Sequence, residues 1–367
     1  MSLYIQKVCF VIDSPMNAMV AAILARKASQ VDVIYALDPL RKDVEEYLRV
    51  LRALLSELQI HSESFIEIDS ARFWGGKKNE LLPEARQALA PLIRGHTQET
   101  IYFGNCLTNP VALALKHFVR VNHLYHAPGD FVHMLFPRES RLKSSLKSLI
   151  KNILGMELYK IEIGDLPIYS LLNLVSQKNF AYLDFNEFSS KIVEGSLVSL
   201  SQALNTSENN IMLLLAGDEP KPGDNNASNI AKYLKPHFQA VEVLMNIEGL
   251  KCATLWIKEH KSYFPLSHDE RALLANEFAK LSCDVRFVTD YLPKEYRSLP
   301  GECILRYGRV NYVVAEPSAF LFNIASSSVT PLAAVTPFSP YRDLGQQARN
   351  AEFLAINNLL VQPSKVY

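Results

Sequence analysis

The sequence predicts an α/β protein built from two Rossmann-like, doubly wound domains. Short apolar runs typical of buried parallel strands alternate with helical patterns along the chain, as in alternating strand and helix units. A chain of 367 residues is too long to fold around a single hydrophobic core. We therefore expect two domains of about 180 residues each. No repeat of about 20 to 50 residues is visible in the sequence, which argues against a solenoid or a propeller.

The first domain is predicted to span residues 1–190 and to begin with a strand over residues 8–12. Ser14 as N-cap and Pro15 in the first helical position then start a helix that runs to residue 27. Further strands are expected at residues 31–36, 64–68, 100–103 and 120–125, with helices at residues 41–58, 80–93 and 110–119.

A stretch rich in Ser, Asn, Gln and Glu over residues 189–210 marks the predicted boundary, and the second domain is predicted to span residues 205–340. Residues 341–367 are expected to close the chain with a long helix. The expected strands of the second domain lie at residues 211–215, 240–244, 254–257, 284–288, 312–315 and 332–335, and its helices at residues 227–234, 269–281, 316–325 and from Pro300 onward.

The charge balance excludes a global attraction to polyanions. Lys plus Arg and Asp plus Glu both number 38, so the formal net charge is zero and no overall field draws in nucleic acid. We therefore expect no nucleic-acid partner, and any charged ligand must be met by a local group of residues.

The cysteines and the first apolar run indicate a cytoplasmic protein. The five cysteines are an odd number and widely scattered, and Cys9, Cys252 and Cys303 lie in apolar runs, so we expect reduced core residues and not a disulfide framework. The apolar run over residues 8–12 is far too short for a signal peptide or a membrane span.

One helical pattern allows two interpretations. Over residues 138–154 a leucine and isoleucine stripe is flanked by Arg141, Lys143, Lys147 and Lys151. A basic amphipathic helix of this kind can lie on the anionic surface of the inner membrane, which would make the protein peripheral there. The same pattern also suits an ordinary helix packed on the sheet, because the stripe lacks Trp and Phe.

The stretch ATLWIKEH, residues 253–260, is the most informative strand of the second domain. A β-branched and aromatic run bounded by polar residues is typical of a parallel strand with both faces covered. Ligands bind outside the carboxyl ends of such strands, so Lys258 and His260 would face a crevice as a cation and an acid. The alternative is that charged residues follow the strand simply because loops are solvated.

Other candidate site residues also follow predicted strands. Ser14 and Asn17 follow the first strand, Asn105 follows residues 100–103, and Gly217 lies in the loop AGDEPKPGD after the first strand of the second domain. These residues are predicted to contact the substrate, although Ser14 and Asn17 could also do no more than cap a helix. His126, Gly129 and Asp130 stand in the sequence HAPGD, again at the end of a strand.

Two consecutive doubly wound domains that face a cleft, with a closing C-terminal helix, suggest a GT-B type glycosyltransferase. The second domain then has a strand ending in K-x-H at residues 258–260, a helix opened by P-x-E at 300–302 and a helix start containing Ser318. In this order the motifs resemble those of the bacterial sialyltransferases and polysialyltransferases of capsule and lipooligosaccharide synthesis. The S-P turn at residues 14–15 also looks like a turn near the N-termini of those proteins.

The resemblance implies specific roles for four residues. His260 would meet the departing phosphate of the CMP donor, with Lys258 beside it, and Ser318 would contact the phosphate through its hydroxyl group. Glu302 would hold the ribose or the base of the nucleotide, or it would only be a first-turn acid that favours the helix dipole. Backbone N–H groups at the helix start near Ser318 would support an anion.

The sequence also departs from the family pattern. Lys261 stands where the family has Pro after its His, and Ala319 replaces the second residue of the Ser motif. The first-domain acidic motif is replaced by HAPGD, which leaves Asp130 or His126 as candidates for the general base. Pro-Gly-Asp is also ordinary turn chemistry, so Asp130 could simply belong to a turn.

The sequence therefore predicts an inverting, metal-independent glycosyltransferase without a cofactor. It would transfer sialic acid or a related nonulosonic acid from a CMP-sugar donor to a hydroxyl of a glycan acceptor at the bacterial surface. No ligand spacing such as D-x-D or H-x-x-x-H stands at a strand end, so protein cations would replace a metal ion at the phosphate. The alternatives are an epimerase or hydrolase of UDP-sugars with the same fold, and a non-catalytic nucleotide- or glycan-binding partner in envelope polysaccharide synthesis.

Overall fold

The chain divides into two compact units, Met1–Lys191 and Ile192–Tyr367. In the computed structural model each unit is organised around its own parallel sheet. The structure describes residues 7–40, 43–69, 72, 77–96, 99–106, 109–125, 168–170, 180–215, 227–259, 266–315, 320 and 329–333.

The first unit contains a seven-stranded sheet in the order β3-β2-β1-β4-β5-β6-β7. All of its strand pairs are parallel. The strands are β1 (Lys7–Ile12), β2 (Gln30–Leu37), β3 (Ile60–Glu67), β4 (Ile101–Gly104), β5 (Val121–Tyr125), β6 (Ile168–Ser170) and β7 (Phe180–Tyr182).

Helices cover both faces of this sheet. Along β1, Cys9 and Val11 pack with buried helical residues on one face, while Val8, Phe10 and Ile12 are buried on the other. The helices are α1 (Pro15–Leu24), α2 (Val44–Leu54), α3 (Lys78–Arg94) and α4 (Pro110–Leu115). Burial on both faces explains why the central strands are continuous apolar runs instead of alternating ones.

The second unit contains a five-stranded parallel sheet in the order β10-β9-β8-β11-β12. Its strands are β8 (Asn210–Leu214), β9 (Ala253–Lys258), β10 (Cys283–Phe287), β11 (Tyr312–Ala315) and β12 (Thr330–Ala333). Every residue of β9 is buried, and Trp256 is its largest fully buried side chain. The prediction that residues 254–257 form a strand covered on both faces is confirmed.

The polar stretch that links the two sheets in the sequence, between β7 and β8, is helical over residues 191–196 and 198–204. It forms α5 (Lys191–Ser196) and α6 (Val198–Leu204), which bury Val193, Leu200 and Leu204 and expose mostly polar residues. The other helices among the described residues of the second unit are α7 (Ala227–Ile247), α8 (His268–Ala279) and α9 (Gly301–Tyr307).

The predicted strand at residues 240–244 is wrong, because this segment continues helix α7. Ala240, Val241, Leu244 and Met245 are buried, whereas Glu242 and Val243 are exposed. Buried positions separated by one, three and four residues form one face of a helix, while a strand would bury every second residue. Packing of this face therefore outweighs the strand preference of the β-branched valines in the segment. Helix α7 also includes Pro236.

The cysteine prediction holds only in part. All five cysteines are free, and Cys9 and Cys303 are buried as expected. Cys252 is exposed, because it lies in the turn before β9 and not inside that strand.

The predicted α/β class with two Rossmann-like, doubly wound sheets is confirmed. In the part of the chain that the structure describes, no helix is long and apolar enough to cross a bilayer. The predicted basic helix at residues 138–154 and the predicted closing helix within residues 341–367 lie outside the described residues.

Candidate functional site

The strand order of the first unit reverses between β1 and β4. From β1 the chain adds β2 and β3 on one side, and it then crosses to the other side to form β4 and β5. In open parallel sheets, ligands bind outside the carboxyl ends of the strands at this reversal point. Asp13 and Ser14 follow β1, and Asn105 follows β4, which pairs with β1. The structure therefore brings the predicted site residues Ser14 and Asn105 to adjacent strand ends, together with their neighbour Asp13.

The turn after β1 is held by three hydrogen bonds. The Oγ atom of Ser14 accepts a hydrogen bond from the backbone N–H of Asn17 at 3.3 Å, which caps α1 as predicted. The side-chain amide of Asn17, which is fully buried, donates to the carboxylate of Asp13 at 2.5 Å. The Tyr47 hydroxyl donates to the main-chain oxygen of Asp13 at 2.6 Å. Asp13 is therefore fixed at both its backbone and its side chain.

The turn after β4 is equally rigid. A Cβ atom on Gly104 would lie 2.7 Å from the Cβ atom of Ala112, so only glycine permits this close approach of strand and helix. The carbonyl of Asn105, a buried residue, accepts the N–H of Asn109 at 2.9 Å. The side chain of Asn109 then caps α4 by accepting the N–H groups of the second and third helical residues.

In the second unit the corresponding reversal lies between β8 and β11. Gly217 follows β8 and Ser318 follows β11 in the sequence, and both lie outside the described residues. The same holds for His260 after β9 and for His126, Gly129 and Asp130 after β5. Their proposed roles rest on the sequence alone.

Lys258, the last residue of β9, is buried with an exposed fraction of 4%. Its Nζ atom donates to the carbonyl oxygen of Glu259 at 3.1 Å and to that of Arg297 at 3.0 Å. These two carbonyl dipoles partly replace the lost hydration of the ammonium group. The contact also ties the end of β9 to the segment that leads into α9.

Glu302, in the first turn of α9, is equally buried and lies in the same region. Burial raises the pKa of the neighbouring Cys303 thiol, the Glu302 carboxylate raises it further, and the Lys258 ammonium opposes the change. Both charges therefore act on one buried sulfur atom. Lys258 and Glu302, which are 44 residues apart in the sequence, are thus both close enough to Cys303 to influence its thiol.

Glycine also permits the packing of α9. A Cβ atom on Gly301 would lie 2.7 Å from the ring of Phe320, so the first turn of α9 packs closely against this ring. Phe320 follows Ser318 by two residues. Phe320 therefore lies against α9, and Lys258 at the end of β9 contacts the segment that leads into α9.

Sequence reasoning missed Arg271, which organises the outer side of the β9 end. Its Nε atom bonds Glu259 Oε1 at 2.8 Å, and its two terminal nitrogens bond Asp290 and Thr289 at 2.9 and 2.8 Å. Thr289 also donates to Glu259 Oε2 at 3.2 Å, and the guanidinium lies 4.1 Å above the ring centre of Phe287. A position inside a helix gives no sequence signal for this role.

The described residues contain no group of three or more His, Cys, Asp or Glu side chains arranged to hold a metal ion.

No protein-family model matches the sequence, and no curated protein matches it. Among solved structures, the chain is similar to MurG of Acinetobacter baumannii, with 12% identity over 95% of this chain and 83% of that chain and a TM-score of 0.41.

Proposed function

We propose that this chain is an inverting glycosyltransferase that moves sialic acid or a related nonulosonic acid from a CMP donor to a hydroxyl group of a bacterial surface glycan. The observation that carries the proposal is that Lys258, at the carboxyl end of β9, and Glu302, in the first turn of α9, are both buried and both influence the Cys303 thiol. These are two of the four residues that resemble the donor-site motifs of sialyltransferases. Their joint placement supports the resemblance, because they come from different elements.

In this proposal the second unit binds the donor. His260 and Ser318 contact the phosphate, Glu302 holds the ribose or the base, and Gly217 borders the nucleotide. Lys258 contributes its positive charge from a buried position, since its Nζ atom already binds two carbonyl groups. A fixed cation stabilises the negative charge that develops on CMP as it departs, and such groups contribute about 10²- to 10³-fold to the rate.

The first unit binds the acceptor. Ser14, Asn105 and Gly129 each follow a strand in the sequence, at the proposed acceptor site. Asn17 acts there through Asp13, because its side-chain amide is engaged with the Asp13 carboxylate. Asp130 and His126 are the sequence-derived candidates for the general base, which takes the proton of the attacking hydroxyl. If residues 138–154 lie on the inner membrane, they would bring this unit close to a membrane-linked acceptor.

Nucleotide binding tests the donor assignment. Calorimetry should show that CMP binds with EDTA present and at least about tenfold more tightly than UMP or GDP, a difference of about 1.4 kcal/mol. Glu302→Gln should weaken CMP binding, because the amide is a poorer acceptor for ribose hydroxyls. Glu277→Gln is the control, since Glu277 is half-exposed and pairs only with Lys280. Equal affinity for CMP, UMP and GDP would contradict the assignment.

Product analysis tests the reaction. CMP-sialic acid and a panel of glycan acceptors should give a product with inverted anomeric configuration. Conversion of a UDP-sugar in the absence of an acceptor would instead identify an epimerase or a hydrolase. Specific binding of CMP without transfer to any acceptor would identify a non-catalytic partner.

A further inference from the structure

We infer that Asp13 is the catalytic base of the first unit: its carboxylate accepts the proton of the acceptor hydroxyl. The inference rests on the proposed glycosyl transfer. It assigns to a residue that the structure describes the role for which Asp130 and His126 were the sequence candidates.

The position of Asp13 in the fold is the first argument. Asp13 directly follows β1, and the strand order reverses between β1 and β4. Ligand crevices of open parallel sheets form above this point. An aspartate one strand away, Asp38, follows β2 and is not at the reversal.

The second argument is that Asp13 is held ready for a ligand. Its Oδ1 atom accepts the amide of Asn17, and its main-chain oxygen accepts the Tyr47 hydroxyl. Both partners are buried, whereas Asp13 itself is only half-buried. Within the described part of the chain, its Oδ2 atom has no hydrogen-bond partner, and no cation pairs with the carboxylate. One oxygen is thus fixed by the protein while the other is open to a ligand.

The third argument is that helix capping does not require Asp13. Ser14 already fills the N-cap position through its Oγ atom. The buried amide of Asn17 therefore serves to orient the carboxylate, and burial of an amide is tolerated only when it is hydrogen-bonded. A catalytic group held by a buried partner keeps its geometry when substrate binds.

The chemical step follows from these positions. The acceptor O–H proton moves to Asp13 Oδ2 as the acceptor oxygen bonds to the anomeric carbon of the donor sugar. The bond from that carbon to the phosphate oxygen breaks, and its electron pair leaves with CMP. Asp13 then returns the proton to water, so the carboxylate is regenerated. Asn17 is the positioning residue for this step.

The test compares four full-length proteins on CMP-sialic acid and an acceptor that the wild type uses. Asp13→Asn should lower kcat by about 10²- to 10⁴-fold, the usual contribution of a general base. Its CMP affinity by calorimetry should stay within twofold, because the residue lies on the acceptor unit, and the acidic limb of the pH–rate profile should disappear. Asp38→Asn is the matched control and should keep wild-type kcat. Asp130→Asn should retain that acidic limb.

Three results would overturn the inference. An Asp13→Asn enzyme with more than half of the wild-type kcat would exclude a base role while leaving the proposed transfer intact. If Asp13→Asn does not fold, Asp13→Glu decides the question: full turnover would make Asp13 structural, whereas a 10- to 100-fold lower kcat with the acidic limb retained supports the inference. A wild-type protein that transfers to no acceptor would contradict the proposed function and this inference with it.

Discussion

The indole Nε1 of Trp256 donates a hydrogen bond to Asn210 Oδ1 at 2.8 Å, and both residues are fully buried. The amide nitrogen of Asn210 donates in turn to the carbonyl oxygens of Leu204, Ser207 and Arg309 at 2.7, 3.2 and 3.0 Å. One side chain thereby satisfies the buried polar groups of two turns and of strand β9. It fixes the amino-terminal end of the second sheet.

Asn210→Asp should destabilise the second unit strongly. The change replaces a donor with a carboxylate oxygen that faces three carbonyl oxygens, so three acceptors lose their partner and a charge is buried. We expect a loss of about 3 kcal/mol or more in the free energy of unfolding, measured by urea denaturation. Asn246→Asp, an exposed change of the same kind on α7, is the control and should cost less than about 0.5 kcal/mol.

Much of the fold could be predicted from local sequence, because strands and caps carry local signals. The buried run of β9 and the Ser14-Pro15 start of α1 were both identified this way. Residues 240–244 failed because a valine-rich segment is compatible with strand and helix alike. The decision came from tertiary packing of one face of α7, which no local window contains.

The candidate site could be predicted only where position in the strand order is enough. Ser14 and Asn105 were predicted because they follow strands, and the structure places them at the ends of β1 and β4. Asp13 and Arg271 were missed because their significance depends on partners that the fold supplies, such as the buried amide of Asn17 and the carboxylate of Glu259 twelve residues before Arg271. Composition gives no indication of such pairs.

Gly104→Ala should destabilise the first unit by about 1–3 kcal/mol. The new methyl group would lie 2.7 Å from the Cβ atom of Ala112, which cannot move without shifting α4. Gly195→Ala, in α5, meets no atom within 4 Å and should be neutral or stabilising by up to about 1 kcal/mol. Thermal denaturation of both variants checks this, and Gly104→Ala with Ala112→Gly should recover part of the loss. No recovery would locate the strain elsewhere.

His123 should make the stability of the first unit depend on pH. Burial lowers the pKa of its imidazole from 6.5 to about 4, with Lys116 adding to the effect, and its Nε2 atom has no hydrogen-bond partner in the described structure. Between pH 6.5 and 4 the unfolded chain binds a proton that the folded chain does not. Stability is therefore full above pH 6.5 and falls as the pH drops, by up to about 3 kcal/mol.

Urea denaturation from pH 7 to pH 4 measures this dependence. His123→Leu should lose the part of the slope that lies between pH 6.5 and 4, because leucine does not titrate. His117→Gln, which changes an exposed histidine on the same unit, should keep the wild-type slope. A His123→Leu protein with an unchanged slope would show that other groups cause the acid sensitivity.

Arg271→Lys should weaken donor binding without unfolding the protein. The guanidinium joins Glu259, Thr289 and Asp290 and also stacks on Phe287. A lysine ammonium cannot span these partners in one plane. The end of β9, from which Lys258 and His260 extend the proposed phosphate site, would lose its outer support. We expect about a tenfold rise in the dissociation constant of CMP, or about 1.4 kcal/mol.

Arg286→Lys is the matched control for this prediction. Arg286 pairs with Asp284 at 2.8 Å and lies over the Trp256 ring, and the two arginine side chains have similar exposure, 31% and 25%. In the described structure its guanidinium bonds Asp284 and lies over the Trp256 ring, and it forms no hydrogen bond or ion pair with Lys258 or Glu259. Arg286→Lys should therefore cost a similar small amount of stability and leave CMP affinity unchanged. If both variants weaken CMP binding equally, the effect is a general loosening of the second sheet. If neither does, the end of β9 is not part of the donor site.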